Sequence, residues 1–265
     1  MPEPRSKPRI ALSTRVAGVP VVDAVYPSGH TYPFHCDGQP RISVVLGGAL
    51  LEEAEGEEVT ASAASVVVKP ADVRHRNTFG PHGARLLSVV APTPLLHGYD
   101  GRGLDRWRWH HAGAVGQAAV RFVRAVRYSP EDAEDDLWGL LGALDSDTPG
   151  RRPSSVPSWL HHARERLDDE AASDRPTPSV AALAADASVH PVALARAFRR
   201  AFACSPTAYR RRLRVRKATG LLSSTELPAA EVALAAGFAD QSHMCRDVRA
   251  ELGTTPGRLR RALRA

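Results

Sequence analysis

The sequence has little that would tie it to a membrane or to an oxidising compartment. No apolar run approaches the roughly 20 residues that a membrane-spanning helix needs. The charged N-terminal stretch MPEPRSKPRI has no apolar run behind it, which predicts that it is not a signal peptide. The three cysteines, Cys36, Cys204 and Cys245, lie far apart and match no disulfide or zinc framework. We therefore expect a soluble, cytoplasmic protein.

The length and composition are those of a folded protein of ordinary size. With 265 residues the chain is long enough for two domains, and its hydrophobic content of 43% is typical of a globular protein rather than a disordered one. These totals indicate a class of protein but no activity.

Positive charge is concentrated in the last third of the chain. Residues 176–265 hold 15 Arg and Lys against 6 Asp and Glu, a net charge of +9, whereas residues 1–175 hold 20 against 23. A basic region of this size favours a polyanion such as nucleic acid as its partner. The alternative is a solvated basic surface with no binding role.

The first part of the chain has the pattern of short β-strands. Gly, Pro and Asp clusters, such as GG at 47–48 and GPHG at 80–83, separate these apolar segments. Several short strands of this kind predict a small barrel or sandwich. The segments are VVDAVY, ISVVL, ALLE, SVVVK and RLLSVVA.

Helical periodicity replaces this pattern after about residue 113. Residues 114–126 and 131–144 carry apolar residues at helical spacing, and Ser129-Pro130 is a helix-start signal for the second segment. Their apolar faces predict that they pair two chains. We expect a β-rich domain over 1–100, a helical dimerisation segment and linker over 101–155, and a third domain over 156–265.

The basic region contains an internal repeat. Upstream the offset is 49, because Ala184 corresponds to Ala233, so the second copy has one extra residue in its turn. At an offset of 50, similar residues recur in both copies: Leu194 and Met244, Arg196 and Arg246, Phe198 and Val248, Arg199 and Arg249, Pro206 and Pro256.

Each copy has the pattern of two short helices joined by a tight turn. In the first copy these are SVAALAADA and PVALARAFRRAF, and in the second AAEVALAA and DQSHMCRDVRAEL, with Gly237 in the turn. A further helix in each copy begins at Ser205-Pro206 or Thr255-Pro256. Paired helices with arginines on one face of the second predict two helix-turn-helix units. The expected core residues are Leu183, Leu194, Phe198, Val232, Leu234 and Phe238.

A metal site in the stretch GFADQSHMCRDV is an alternative that helix geometry disfavours. His243 and Cys245 are two positions apart on one helix, so their side chains do not face each other. A zinc site needs ligands at i and i+4, or a CxxC pair, with further partners.

The segments AEVALAAGFADQSHMCRDVRAELGTTPGRLRR and LARAFRRAFACSPTAYRRRLRVRKATGLL resemble the C-terminal region of AraC/XylS-type transcription regulators. The resemblance implies that one recognition helix from each copy enters successive major-groove segments, joined by a linking helix over about 206–222. The chain departs from the family where Met244 and Val248 replace Phe, and where His190 replaces a capping Ser or Thr.

The resemblance also assigns roles to individual residues. Arg can bond guanine O6 and N7, and Gln can bond adenine N6 and N7. A phosphate contact or a solvated charge is the alternative for each arginine. The implied base-reading residues are Val192, Ala195 and Arg196 in the first copy, and Gln241, Ser242, Cys245 and Arg246 in the second. The residues expected to neutralise phosphate are Arg199, Arg200, Arg210, Arg211, Arg212 and Arg249.

The segments FHCDGQPRISVVLGGALL and VVVKPADVRHRNTFGPHG resemble the cupin-like sensor domain that often precedes this module. His35, Asp37 and His75 are the implied effector-pocket residues. In metal-binding cupins the first motif supplies HxH and a later Glu, and the second, PxGxxH, supplies another His. Here Asp37 replaces a His, Asp72 replaces the Gly, and no Glu follows at the usual spacing. We therefore expect polar pocket roles, with no metal and no cofactor.

The sequence thus predicts an α+β protein, with an N-terminal cupin-like β-barrel and a C-terminal all-α domain that carries two helix-turn-helix motifs. The expected function is a transcriptional activator or other sequence-specific regulator, not an enzyme. Its expected partners are double-stranded DNA, a small-molecule effector, a second copy of the chain and RNA polymerase, with no membrane. One alternative is a metal-dependent cupin enzyme with a basic nucleic-acid-binding tail. Another is a DNA-binding protein without an effector.

Overall fold

The computed structural model describes residues 8–91, 104–147, 156–172, 178–202 and 204–264. The predicted α+β class is confirmed, with β-strands first and helices after them. The predicted boundary at 100/101 lies outside the described residues, and that at 155/156 lies at the edge of a described segment. The strands are β1 Arg9–Val16, β2 Val19–Tyr26, β3 Thr31–His35, β4 Arg41–Ala54, β5 Glu57–Ser62, β6 Val66–Lys69, β7 His75–Val90 and β8 Arg108–His110.

The strands form one antiparallel sheet built on two long central strands, β4 and β7. The hydrogen-bonded order is β1-β2-β7-β4-β6-β8, while β3 also pairs with β7 and β5 also pairs with β4. Each central strand therefore has different neighbours along its two halves. Side chains from six strands meet in one apolar cluster, so the sheet curls around an interior.

The sequence predicts that the glycine-rich segments at 47–48 and 80–83 separate strands. In the structure they instead lie within β4 and β7. The register between these strands shifts between Val45 and Gly47 and again between Gly48 and Leu50. Gly48 and Gly83 both have left-handed φ angles, of 73° and 71°. A Cβ on Gly48 would lie 2.1 Å from the Gly83 carbonyl oxygen, so only glycine allows the two backbones to approach this closely.

The sheet is buried on both faces around Val44, Val66 and Leu87, which accounts for the nearly continuous apolar sequence of the strands there. Val44, Val66 and Leu87 face a cluster that includes helices, whereas Val45 and Leu86 face the curled interior. Side chains alternate between faces along a strand, so adjacent valines here serve two different cores.

The helices follow the predicted segments closely. A 3-10 turn over Pro130–Asp132 precedes the second helix, and the Ser129 side chain makes no capping bond there. Among the described residues, no helix has the length and apolar content that crossing a bilayer requires. The helices are α1 Gly113–Tyr128, α2 Ala133–Ser146, α3 Ser158–Ala172, α4 Val180–Asp186, α5 Pro191–Phe202, α6 Pro206–Ser224, α7 Ala229–Ala235, α8 Gln241–Leu252 and α9 Pro256–Arg264.

The apolar surface of α1 is covered within the chain rather than left free for a second copy. Val115, Phe122 and Val123 are fully buried in a cluster shared with the sheet, α2, α8 and α9. The apolar pattern of this helix predicts that it pairs two chains, but in the structure the second helix-turn-helix unit covers its apolar surface. Pairing of two chains stays a prediction, for which α2 offers Trp138 with 41% of its surface exposed.

Polar contacts fix α1 against the ends of α8 and α9. The last carbonyls of a helix have no partner within the helix. Gln117 donates from Nε2 to the carbonyl of Ala250 at 3.0 Å, and the Tyr128 hydroxyl donates to that of Arg261 at 3.1 Å. Arg127 donates to the Ala262 carbonyl and also to Asp23 in β2, at 2.6 Å. These bonds define one orientation of the second helix-turn-helix unit on the sheet.

Replacing Gly48 by alanine should destabilise the protein by about 2 kcal/mol or more, because it adds a left-handed alanine and a clash with Gly83. For a chain of this size that corresponds to a fall in melting temperature of several degrees. The matched control is Gly38→Ala, since a Cβ at Gly38 meets nothing within 4 Å. Equal melting temperatures for the two full-length variants would contradict the close approach of β4 and β7.

Candidate functional site

The two predicted repeats have the same three-dimensional pattern. Helices α4 and α5 form the first helix-turn-helix unit, and α7 and α8 form the second. Positions 191–200 and 241–250 share one order of exposed and buried residues, except at the third position. Leu194 and Phe198 in α5, and Met244 and Val248 in α8, are all fully buried. The repeat in the sequence is therefore a repeat in the structure.

The turns explain the change of offset between the copies. Four residues, 187–190, join α4 to α5, whereas five residues, 236–240, join α7 to α8. The left-handed position is Ser188 in the first turn, with φ of 52°, and Gly237 in the second, with φ of 81°. Glycine adopts this conformation without the penalty that serine carries, so the second turn is the less strained of the two.

Side chains cap both recognition helices. Asp240 accepts a bond from the His243 backbone N–H at 2.7 Å, and His190 Nδ1 accepts one from Val192 N–H at 3.2 Å. His190 therefore caps α5 in place of the usual Ser or Thr. Ser205 and Thr255 cap α6 and α9, as their position before proline predicts.

The residues predicted to contact bases lie along one side of each recognition helix. Val192 has 51% of its surface exposed and Arg196 is exposed, whereas Ala195 between them is half-buried. In α8, Gln241, Ser242 and Arg246 are exposed and Cys245 is half-buried. An open depression beside α5 is lined by Pro191, Val192, Ala195, Arg196, Arg199 and Arg200.

His243 belongs to the packing of the second unit rather than to a metal site with Cys245. Its ring lies edge-on to Phe238, with centroids 5.2 Å apart, and its Nε2 lies 3.4 Å from Asp247. Phe238 also receives the Arg214 guanidinium over its ring face at 5.3 Å. The prediction that Leu234 belongs to the core is wrong, since 64% of its surface is exposed. Val232 and Ala233 instead occupy the face of α7 that packs inward.

The six arginines predicted to contact phosphate fall into two groups. Arg199, Arg200 and Arg249 are exposed. Two arginines of α6 instead contact Glu251 of α8, which is buried: Arg211 donates from Nε at 2.6 Å, and Arg212 lies 3.5 Å away. The third α6 residue, Arg210, is half-buried.

Glu251 has a structural role that the sequence patterns did not predict. A buried carboxylate needs charged or hydrogen-bonding partners, and here two arginines of α6 supply them. The repeat offers a signal for this role. The corresponding residue of the first copy is Ala201, so the carboxylate at position 251 is particular to the second copy. Glu251 thus ties the second recognition helix to the linking helix.

The curled interior of the sheet combines aromatic rings with buried polar groups. Tyr26 stacks on Phe79 with ring centroids 4.3 Å apart. Glu52 is fully buried, accepts a bond from the Trp107 indole and lies 2.9 Å from Lys69. Polar groups held within apolar walls are typical of small-molecule sites.

The three predicted effector-pocket residues come together at this interior. One ligand atom from each of His35, Asp37 and His75 lies within 4.8 Å of the others. The two imidazole rings have centroids 4.4 Å apart. Burial lowers the pKa of His75 and the charge of Lys69 lowers it further, so this imidazole is held in its neutral form.

Comparison with known proteins supports the helix-turn-helix assignment. Residues 183–262 match the family model described as "Helix-turn-helix domain". No curated protein matches the chain.

Similar solved structures include the C-terminal domain of AraT, a response regulator from Geobacillus stearothermophilus, at 25% identity over 42% of this chain and 91% of that one, with a TM-score of 0.38. They also include ToxT from Vibrio cholerae, at 10% identity over 92% and 99%, with a TM-score of 0.37. A third is the AraC-like transcriptional activator CuxR, at 12% identity over 76% and 77%, with a TM-score of 0.43.

The residues that match the family model are those in which the structure has the two paired helical units. The matched segment runs from the middle of α4 into α9 and so contains both recognition helices. Residues 183–262 therefore form a helix-turn-helix domain built of two units.

Proposed function

We propose that the protein is a sequence-specific, DNA-binding transcriptional regulator whose N-terminal domain senses a small molecule. The observation that carries the proposal is the duplication: two helix-turn-helix units present matching exposed positions on the basic third of the chain. A solvated basic surface needs no such duplication. The alternative of an enzyme with a basic tail leaves the paired units without a role.

The proposed site on DNA follows from the linking helix. Helix α6 has 19 residues and is therefore about 28 Å long at about 1.5 Å per residue. One turn of DNA repeats at about 34–36 Å, so two recognition helices joined in this way suit neighbouring major-groove segments on one face.

The two recognition helices differ in what they can bond. Helix α5 offers Arg196 among small apolar side chains. The apolar side chains can contact only thymine methyl groups. Helix α8 offers Gln241, Ser242 and Arg246, which supply several donors and acceptors. We therefore propose an asymmetric DNA site in which the second half carries more sequence information.

Phosphate contacts in this proposal fall mainly to the exposed arginines. Arg199, Arg200 and Arg249 are free to face the DNA backbone, whereas Arg211 and Arg212 lie against Glu251. We therefore remove Arg211 and Arg212 from the residues proposed to contact phosphate, and give them a structural role where α6 contacts α8.

Sensing is proposed to act through the contact between α1 and the second unit. A ligand that binds differently to two arrangements of the sheet changes DNA affinity by the same factor as DNA changes ligand affinity. Arg127 contacts both Asp23 in the sheet and the end of α9, so it spans the two parts directly. Pairing of two chains, contact with RNA polymerase and a cytoplasmic location remain proposals.

DNA binding by the full-length chain should weaken steeply with salt, with a log–log slope of about −0.9 per phosphate neutralised. Arg199→Ala should make the slope shallower by about one phosphate equivalent. The matched control is Arg124→Ala, an exposed arginine on α1. Salt-independent binding, or the same slope change in both variants, would contradict the proposed interface.

Arg196→Ala should relax base preference at one position of one half-site, at a cost of about 1–3 kcal/mol. Arg246→Ala should do the same in the other half-site, about 10 base pairs away, and Gln241→Ala should relax a neighbouring position. The measurement is a base-by-base affinity scan of a selected DNA site, with Arg199→Ala expected to weaken all sequences alike. An unchanged preference in Arg196→Ala would show that α5 does not contact bases in this way.

Arg211→Ala should lower stability by about 1–3 kcal/mol, because it removes a partner of the buried Glu251. It should leave the salt slope of DNA binding close to that of the unaltered protein. Arg249→Ala, at an exposed position of α8, should show the reverse: normal stability and a shallower slope. If Arg211→Ala changed the slope without changing stability, its guanidinium would belong to the DNA interface.

A further inference from the structure

We propose that helix α5 binds the 5-methyl group of a pyrimidine in the DNA major groove, beside the guanine that Arg196 contacts in the proposed function. Thymine always carries this group, and cytosine carries it once it has been methylated. The half-site that α5 contacts should therefore respond to cytosine methylation. The inference rests on the proposed function, because it names the chemical group that one half of the DNA interface recognises.

The two recognition helices differ in chemistry at equivalent exposed positions. The first, second and fifth residues of α8 are Gln241, Ser242 and Cys245, whose side chains can exchange hydrogen bonds with base edges. In α5 none of the three equivalent side chains can form a hydrogen bond. These residues, in the same order, are Pro191, Val192 and Ala195.

The backbone at the start of α5 offers no donor to DNA at these positions either. Pro191 has no N–H, and the N–H of Val192 donates to His190 Nδ1 at 3.2 Å. The surface at 191 and 192 is therefore apolar in both backbone and side chain. Such a surface distinguishes base pairs through the pyrimidine methyl group, because the other groups on a major-groove edge are hydrogen-bond donors or acceptors.

The apolar surface of Val192 is free to contact a partner. This side chain has 51% of its surface exposed, whereas Val189, three residues earlier, packs against the core of the first unit. Valine is also a poorer helix former than alanine or leucine, so its place in the first turn of α5 gains nothing from helix propensity. Neither core packing nor helix formation accounts for a valine here.

The charges around this surface favour DNA as the partner. The apolar residues share one open depression with three arginines, which attract a polyanion. Arg196 lies four residues after Val192, so the two side chains are neighbours, with Cβ atoms about 5–6 Å apart. Stacked bases lie about 3.4 Å apart, so the methyl group and the guanine belong to adjacent base pairs. The residues that line the depression are Pro191, Val192, Ala195, Arg196, Arg199 and Arg200.

The test uses the full-length protein and a selected DNA site, in which the half contacted by α5 is the half where Arg196→Ala relaxes base preference. The pyrimidine next to the guanine is varied as two pairs, thymine against uracil and 5-methylcytosine against cytosine. Each pair differs by one methyl group. The methylated member should bind about fourfold more tightly, the factor that corresponds to burying one methyl or methylene group.

Val192→Ser gives α5 the residue type that α8 has at Ser242, and it should remove most of the difference within both pairs. The melting temperature should not change, because the side chain is exposed. The matched control is Arg199→Ala. This variant should weaken binding to all four DNA sites alike and keep the methyl preference, because a phosphate contact does not read the base.

Three results would each overturn this inference and leave the proposed function standing: equal affinities within either pair, a selected half-site with no thymine beside the guanine, or an unchanged methyl preference in Val192→Ser. Failure of the unaltered protein to bind any selected DNA would instead overturn the proposed function, and this inference with it.

Discussion

The arrangement of the whole molecule depends on one apolar core shared by the sheet, α1, α2 and the second helix-turn-helix unit. Phe122 of α1, Val44 of β4 and Val248 of α8 belong to the same buried cluster. The first unit instead packs in a separate cluster with α3, which contains Leu160, Phe198 and Leu213. The two recognition helices are therefore supported differently: α8 packs in the core that includes the sheet, whereas α5 packs among its own helical neighbours.

This asymmetry gives the second unit a more direct connection to the sheet. Helices α8 and α9 end against α1, where Gln117, Arg127 and Tyr128 bond their terminal carbonyls. The first unit connects to the same body through α6, whose residues pack in both clusters. A change in the interior of the sheet would reach α8 through contacts already present, and would reach α5 through the linking helix.

Sequence periodicity predicted the helical part of the molecule well, because several helix starts have a local signal. Proline after a capping Ser or Thr fixed the starts of α6 and α9, and the repeat identified both recognition helices. Long-range packing could not be predicted in this way. The close approach of Gly48 to Gly83, the burial of α1 by α8 and the contact of Arg211 with Glu251 join residues distant in sequence and leave no periodic pattern.

The predicted pocket residues show the same division. Similarity to cupin motifs singled out His35, Asp37 and His75, and the structure brings them together. Their chemistry depends on what the sequence does not display: which ring nitrogen faces a carbonyl, which carboxylate oxygen faces an arginine, and that His75 is fully buried.

A structure of the full-length chain bound to a selected double-stranded DNA site tests the central claim most directly. The account predicts α5 and α8 in neighbouring major-groove segments on one face of the DNA, with Gln117 still bonded to the end of α8. A complex in which α8 faces away from the DNA, or in which α1 and α8 separate, would contradict it.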